Sequence, residues 1–147
     1  MILVVTLDED LAVARALGSA GPEVMVTGLI GESGLHREAL VAGLRESLFD
    51  LAGPELSISD WADFVGGFYA LAARASVVVL AGGLPERLPD DAFAQLVRTT
   101  ATPVVLFTSG PPLVAGTVAR PAAVADSLAE LIEIVTDMEE LDAHADR

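Results

Sequence analysis

Three short apolar runs hold the first candidates for chemistry in this sequence. They are Val77–Leu80, Val104–Phe107 and Thr117–Ala119, and each ends in small or polar residues. Because the runs are apolar on both faces, they are predicted as strands of a parallel sheet covered by helices. In such a sheet, ligands bind beyond the carboxyl ends of the strands. The residues expected there contain no carboxylate and no thiol, so they are a poor set for catalysis and favour a binding role. They are Ala81, Gly82, Thr108, Ser109 and Arg120.

An acidic turn follows the first predicted strand. Asp8, Glu9 and Asp10 stand between the run Ile2–Leu7 and a helical pattern that ends near Gly18. Three consecutive acids could bind a cation. They also suit the first turn of a helix, where negative charge complements the macrodipole. Helix capping is the simpler interpretation.

A glycine-rich turn follows the second predicted strand, Glu23–Ile30. Gly31, Ser33 and Gly34 precede a helix there, and with Gly82 they are candidates for anion binding at strand ends. The turn has neither the dinucleotide-binding nor the P-loop spacing. The alternative is a plain turn in which Ser33 is the N-cap. Ser33 and His36 could form a nucleophile and base, but no acid that would orient the histidine is evident.

The helical patterns follow from the spacing of apolar residues. They predict helices over about 34–52, 59–74 and 122–138, and one that begins near Asp90 or Asp91. The helix over 59–74 carries Trp61, Phe64 and Phe68 on one stripe. This stripe is either core or a surface for another protein.

Composition narrows the classes of function. The formal charge is −14, and the chain contains no lysine and no cysteine. These counts exclude Schiff-base lysines, P-loop lysines, disulfides and thiol catalysis. An acidic protein is also a poor ligand for nucleic acid, because phosphate contacts need a basic surface. We expect a cytoplasmic protein with no membrane span.

The order of elements predicts one doubly wound, three-layer α/β domain over residues 1–138, followed by a polar acidic tail over 139–147. The predicted sheet has five parallel strands, the last of them Thr117–Ala119. An extra helix, 59–74, stands between strands two and three. Only Gly110 to Gly116 joins strands four and five, so the helix between them is predicted to be missing.

Four segments in this order resemble a response-regulator receiver domain. ILVVTLDEDLAVARALGSAGPEVMV is similar to the receiver's opening, SVVVLAGGLPERLPDDAFAQLVR to its third strand and Leu-Pro turn, TPVVLFTS to its fourth strand, and AGTVARPAAVADSLAELIEIV to its end. The resemblance implies a flavodoxin-like sheet in the order 2-1-3-4-5.

The resemblance also implies a degenerate phosphorylation site. The phosphoacceptor aspartate position is Ala81, the hydroxyl position is Thr108, and the lysine position is Arg120. The magnesium-binding acids would fall at Thr6 and Leu7, or at Asp8 and Glu9 after a two-residue slip. An atypical, pseudo-receiver domain without catalysis, metal or cofactor is therefore the leading interpretation.

Two functions from different classes remain open on the sequence. The first is a non-catalytic regulatory domain that binds another protein or a second copy of itself. The interface candidates are Trp61, Phe64, Phe68 and Leu131, and a homodimer is expected. The alternative is a small α/β protein that binds a nucleotide or an anionic metabolite at the strand ends, with hydrolase or transferase activity.

We expect acetyl phosphate or beryllofluoride, supplied with magnesium, to leave the protein unmodified. Ala81 provides no carboxylate nucleophile at the strand end where a receiver is phosphorylated. Intact-mass spectrometry under neutral conditions is the measurement. An acid-labile phosphoryl adduct would contradict this expectation.

Overall fold

Continuous apolar runs form the strands of a six-stranded parallel sheet. The computed structural model describes residues 1–8, 10–30, 43–50, 57–85 and 88–145. The strands are β1 (Ile2–Thr6), β2 (Val24–Ile30), β3 (Arg45–Asp50), β4 (Val77–Ala81), β5 (Val104–Phe107) and β6 (Ala123–Val124). Their order in the sheet is β3-β2-β1-β4-β5-β6, and all neighbours are parallel. Every residue of β1 and β4 is buried, as expected for central strands.

Helices cover both faces of this sheet. In the described ranges they are α1 (Ala12–Ser19), α2 (Ile58–Ala72), α3 (Ala92–Thr99), α4 (Pro111–Val118) and α5 (Leu128–Ala145). On one face, α1 and α5 pack Leu17, Leu131 and Val135 against alternate residues of β1, β2 and β4. On the other face, α2 and α3 bury Phe64, Phe68 and Phe93. The predicted three-layer α/β class with a parallel sheet is confirmed.

The aromatic stripe of α2 belongs to the core. Phe64 and Phe68 are 2% and 0% exposed. Trp61 packs against the same cluster, and its indole N–H donates a 2.9 Å hydrogen bond to the side-chain oxygen of Gln95 on α3. Leu131 is also fully buried. As interface candidates, Phe64, Phe68 and Leu131 lack exposed surface, because the helices need large apolar faces to cover the sheet. Trp61 is half-buried.

A capping box formed by Ser57 and Asp60 begins α2. The backbone N–H of Asp60 donates to the hydroxyl of Ser57 at 3.0 Å, and the backbone N–H of Ser57 donates to the Asp60 carboxylate at 3.2 Å. Two otherwise unpaired N–H groups at the helix start are satisfied in this way.

The last strand lies six residues later than predicted. Thr117 and Val118 close helix α4, and the short strand β6 is Ala123–Val124. Pro111 and Pro112 start α4 at its first two positions, where proline is favourable because no N–H is needed. The helix predicted to be missing between the last two strands is therefore present. The expected tail also differs, because α5 continues to Ala145.

A sixth strand, β3, forms inside the segment predicted as the helix 34–52. The apolar residues of that segment fit a helical period, but Gly43 adopts φ +70°. This left-handed conformation interrupts a helix. The chain after Gly43 then pairs with β2, and the Thr27 hydroxyl donates to the carbonyl oxygen of Ser47 at 2.8 Å. The predicted five strands in the order 2-1-3-4-5 are therefore wrong in detail.

No helix in the described ranges combines the length and the apolar character that a membrane span requires.

We expect Gly28→Ala to destabilise the protein by about 2–3 kcal/mol or more, the cost of overpacking a core. Gly28 lies opposite Thr6 in the pairing of β1 with β2, and a Cβ at this position would overlap the backbone oxygen of Thr6. Denaturant unfolding followed by circular dichroism is the measurement.

Gly66→Ala is the matched control. Gly66 lies in the middle of α2, and nothing would contact its added Cβ within 4 Å. Alanine should therefore stabilise the protein by about 0.5–1 kcal/mol through helix propensity. Equal effects of the two substitutions would contradict the assigned register of β1 against β2.

Candidate functional site

The sheet reverses its winding direction between β1 and β4. The chain leaves β1 for α1 on one face, and it leaves β4 for α3 on the other face. The two strands are parallel neighbours, with Thr6 opposite Ala81 at their carboxyl ends. Loops that diverge to opposite faces leave a crevice between them, and this is where α/β proteins bind ligands.

A cleft of about 680 Å³ lies at this end of the sheet. It is formed by the residues that follow β1, β4, β5 and β6 and by the first turns of α1, α4 and α5. Its lining residues are Asp10, Ala12, Val13, Gly82, Gly83, Phe107, Thr108, Ser109, Leu113, Ala125, Asp126 and Leu128. The volume suits a small metabolite.

The loop after β1 is joined to the loop after β4 by Asp8. One carboxylate oxygen accepts a hydrogen bond from the backbone N–H of Gly83 at 2.8 Å. The other accepts from the backbone N–H of Asp10 at 3.2 Å and from the hydroxyl of Thr6 at 3.3 Å. The Asp8 carboxylate is therefore committed to the protein backbone rather than to a ligand.

The loop after β5 is joined to the same turn. The Thr108 hydroxyl donates a 2.6 Å hydrogen bond to the carbonyl oxygen of Gly82, and the N–H of Gly82 donates to the carbonyl oxygen of Phe107 at 3.1 Å. Gly82 has φ +84°, and a Cβ there would lie 2.7 Å from the Asp8 carboxylate. Only glycine fits both the conformation and the space.

Asp10 has two roles at the cleft. Its carboxylate accepts a 2.9 Å hydrogen bond from the backbone N–H of Ala12, the first residue of α1. The N-cap of α1 is Leu11, and its first turn holds no acid, so the acids precede the helix and do not form its first turn. Asp10 also lines the cleft, as does Asp126, and both are exposed to solvent. No group of three or more metal-ligating side chains was found in the described ranges.

The charged side chains in the described lining of the cleft are carboxylates, which accept hydrogen bonds. Among the described residues, its lining includes two aspartates and no arginine or histidine. The first turn of α4 begins with Pro111 and Pro112, which have no N–H to offer an anion. This composition suits a ligand that donates hydrogen bonds from hydroxyl groups better than it suits a bare phosphate.

The structure brings most of the predicted strand-end residues together. Thr6 and Ala81 are buried at the ends of β1 and β4, directly below the turn that joins Asp8, Gly82 and Thr108. The remaining predicted positions, Glu9, Gly31, Ser33 and Gly34, lie outside the described residues.

Arg120 is the exception among the predicted strand-end residues. It precedes β6, and nearby Ala122 donates to the carbonyl oxygen of Val104, the first residue of β5. Arg120 therefore lies near the amino ends of the strands, at the opposite edge from Thr108. The error follows from the misplaced last strand.

Because the last strand was predicted too early in the chain, Asp126 was not among the predicted strand-end residues. Asp126 stands two residues after the true β6, so it belongs to the strand-end set. A strand of two residues is too short to show a periodic pattern. The one local signal for β6 is the apolar pair Ala123-Val124 shortly before an acid.

A second cleft, of about 640 Å³, opens at the amino ends of β2 and β3. Its lining includes Arg15 and the ion pair between Glu23 and Arg45. It lies at the opposite edge from the switch point. The cleft at the carboxyl ends is therefore the better candidate for a functional site.

No protein-family model matches this chain. Solved structures match its fold. A Thermotoga maritima protein described as a "possible 1-phosphofructokinase" has a TM-score of 0.70 and 15% identity, over 84% of this chain and 59% of that one. Phosphofructokinase-2 of Escherichia coli, in complex with potassium, has a TM-score of 0.65 and 13% identity, over 80% of this chain and 56% of that one. The chain thus matches less than two thirds of the length of either.

These matches correct the function that the receiver resemblance implied. The structural neighbours are phosphofructokinases, including a mutant of the Escherichia coli enzyme, and they share the three-layer α/β fold with the parallel sheet. The non-catalytic regulatory function and the role in signal transduction, both implied by the receiver resemblance, are therefore wrong. The likeness at this level of identity establishes the fold alone.

Proposed function

We propose that this chain is a sugar-binding domain with a phosphofructokinase-like fold, and that its ligand occupies the cleft at the switch point. The observation that carries the proposal is the pair of cleft-lining carboxylates, Asp10 and Asp126, beside the tethered turn at Gly82 and Gly83. The fold shared with phosphofructokinases supports the same ligand class. This develops the second function that the sequence left open, ligand binding at the strand ends.

Carboxylates are effective partners for sugar hydroxyls. A hydroxyl donates, an ionised carboxylate accepts, and each such bond contributes about 1.5–3 kcal/mol. The wall of the cleft also includes Val13, Phe107 and Leu113, which offer apolar surface to the C–H face of a sugar ring. A polyhydroxylated metabolite therefore matches both the polar and the apolar parts of the lining.

The proposed ligand, a sugar, differs in charge from the anionic metabolite that was the alternative expected from the sequence. Asp10 and Asp126 repel a phosphate placed between them, and the described lining holds no cationic side chain to offset them. A sugar phosphate would bind with its hydroxyls in the cleft and its phosphate directed away from these two carboxylates.

Phosphoryl transfer to the bound sugar is the second candidate function. It is favoured by the fold of the structural neighbours and by a carboxylate beside the ligand, because such a group orients and deprotonates an acceptor hydroxyl in kinases. A coupled assay with magnesium–ATP and fructose, fructose 1-phosphate or fructose 6-phosphate separates binding from transfer.

A cytoplasmic location and self-association remain proposals. The buried Phe64, Phe68 and Leu131 no longer supply an interface for a homodimer. Light scattering at micromolar concentration decides the oligomeric state.

We expect Asp10→Asn to weaken sugar binding about 10- to 100-fold, the loss of one charge-assisted hydrogen bond. Asparagine retains an oxygen that accepts from the N–H of Ala12, so the hydrogen bond at the start of α1 survives the substitution. Isothermal titration with fructose, fructose 1-phosphate, fructose 6-phosphate and ATP is the measurement. Asp126→Asn should act in the same direction.

Asp137→Asn is the matched control, because it removes the same charge from an exposed site on α5 outside the cleft. It should leave the affinity unchanged. The proposal fails if the wild-type protein binds none of the sugars, or if Asp10→Asn and Asp126→Asn bind them as tightly as the wild type does.

A further inference from the structure

The turn at Gly82 and Gly83 is held from two sides. Asp8, from the loop after β1, accepts from the N–H of Gly83, and Thr108, from the loop after β5, donates to the carbonyl oxygen of Gly82. Both bonds are short, at 2.8 and 2.6 Å. They hold the carbonyl oxygen and the N–H of the single peptide unit between Gly82 and Gly83, one from each neighbouring strand end.

A Gly-Gly segment without such bonds would sample many backbone conformations. Glycine populates positive and negative φ about equally, so ordering it costs more conformational entropy than ordering any other residue. The two tethers select one conformation, with Gly82 at φ +84°. When the wall of a binding cleft is already ordered, less conformational entropy is lost on ligand binding.

Asp8 acts through the turn and not on the ligand. It is absent from the cleft lining, whereas Gly82, Gly83 and Thr108 all line the cleft. Its carboxylate oxygens already accept three hydrogen bonds, from Thr6, Asp10 and Gly83. Removing the carboxylate would change the cleft only by releasing the backbone that Asp8 holds.

We propose that Asp8 and Thr108 are positioning residues that fix the Gly82–Gly83 turn as a rigid wall of the ligand cleft. The inference rests on the proposed function for its ligand, but not for the tether itself. The tether has a signature that needs no ligand, because a hydrogen-bonded amide exchanges slowly with solvent.

The first measurement is amide exchange by NMR in the free protein. Asp8→Asn should accelerate exchange of the Gly83 amide at least tenfold, because the asparagine cannot accept from Thr6, Asp10 and Gly83 together. Circular dichroism and the melting temperature confirm that the variant is folded. Unchanged exchange at Gly83 would overturn the proposal whatever the ligand data show.

The second measurement is the affinity for the sugar that the wild-type protein binds in the titration above. Thr108→Val removes the hydroxyl with little change of shape and should weaken binding about tenfold. Thr108→Ser retains the hydroxyl and should restore binding to within about twofold. Thr108→Val also tests the second tether independently if Asp8→Asn fails to fold.

Thr117→Val is the control for the threonine series. The Thr117 hydroxyl makes the same kind of bond, to the carbonyl oxygen of Leu113 at 2.7 Å, but at an exposed position of α4 outside the cleft lining. Its substitution should leave sugar affinity and Gly83 exchange unchanged. A matching loss of affinity in Thr117→Val would overturn the specific role of Thr108.

The outcomes separate the two proposals. A wild-type protein that binds no sugar overturns the proposed function and, with it, the role of the tether in binding. A wild-type protein that binds sugar, with faster Gly83 exchange but unchanged affinity in Asp8→Asn and Thr108→Val, overturns only the positioning role. Faster exchange together with weaker binding supports it.

Discussion

The parallel pairing of β1 with β4 is the constraint on which the rest of this structure depends. It places Thr6 opposite Ala81 and brings two loops to one point, from which the chain departs to opposite faces of the sheet. Without a further bond these loops would diverge and leave a wide gap. The hydrogen bond from Gly83 to Asp8 closes it, over a separation of 75 residues in the chain. The cleft exists because the loops after β1 and β4 diverge, and the bond between Asp8 and Gly83 narrows the space between them.

The core explains why chemistry is confined to that edge. Alternate residues of the central strands face two apolar clusters, one under α1 and α5 and the other under α2, α3 and α4. Thr6 and Thr27 are the buried polar residues in the described ranges. In the central strands of such a sheet, charged groups are tolerated only where the strands end and water enters. Asp8, Asp10 and Asp126 occupy these ends.

The acidic character of the whole chain extends into the cleft. A phosphate-binding site of the common kind combines backbone N–H groups with basic side chains. Here the first two positions of α4 are prolines, and the two charged residues of the lining are aspartates. The fold resembles that of phosphofructokinases, whereas the described cleft is equipped to receive hydroxyl groups.

The sequence by itself determined the features that depend on neighbouring residues. The apolar runs of β1, β2, β4 and β5 and the capping box at Ser57 were predictable, because each signal lies within a few residues. The parallel sheet and the position of a site at its carboxyl edge followed from those runs.

The tertiary structure decided the features that depend on distant partners. β3 has the apolar spacing of a helix and becomes a strand because it pairs with the open edge of β2 after Gly43. β6 is too short for a periodic pattern and is defined only by its pairing with β5. That pairing moves Arg120 away from the site and brings Asp126 to it. The tether between Asp8 and Gly83 likewise requires the two strand ends to be neighbours, which no local pattern encodes.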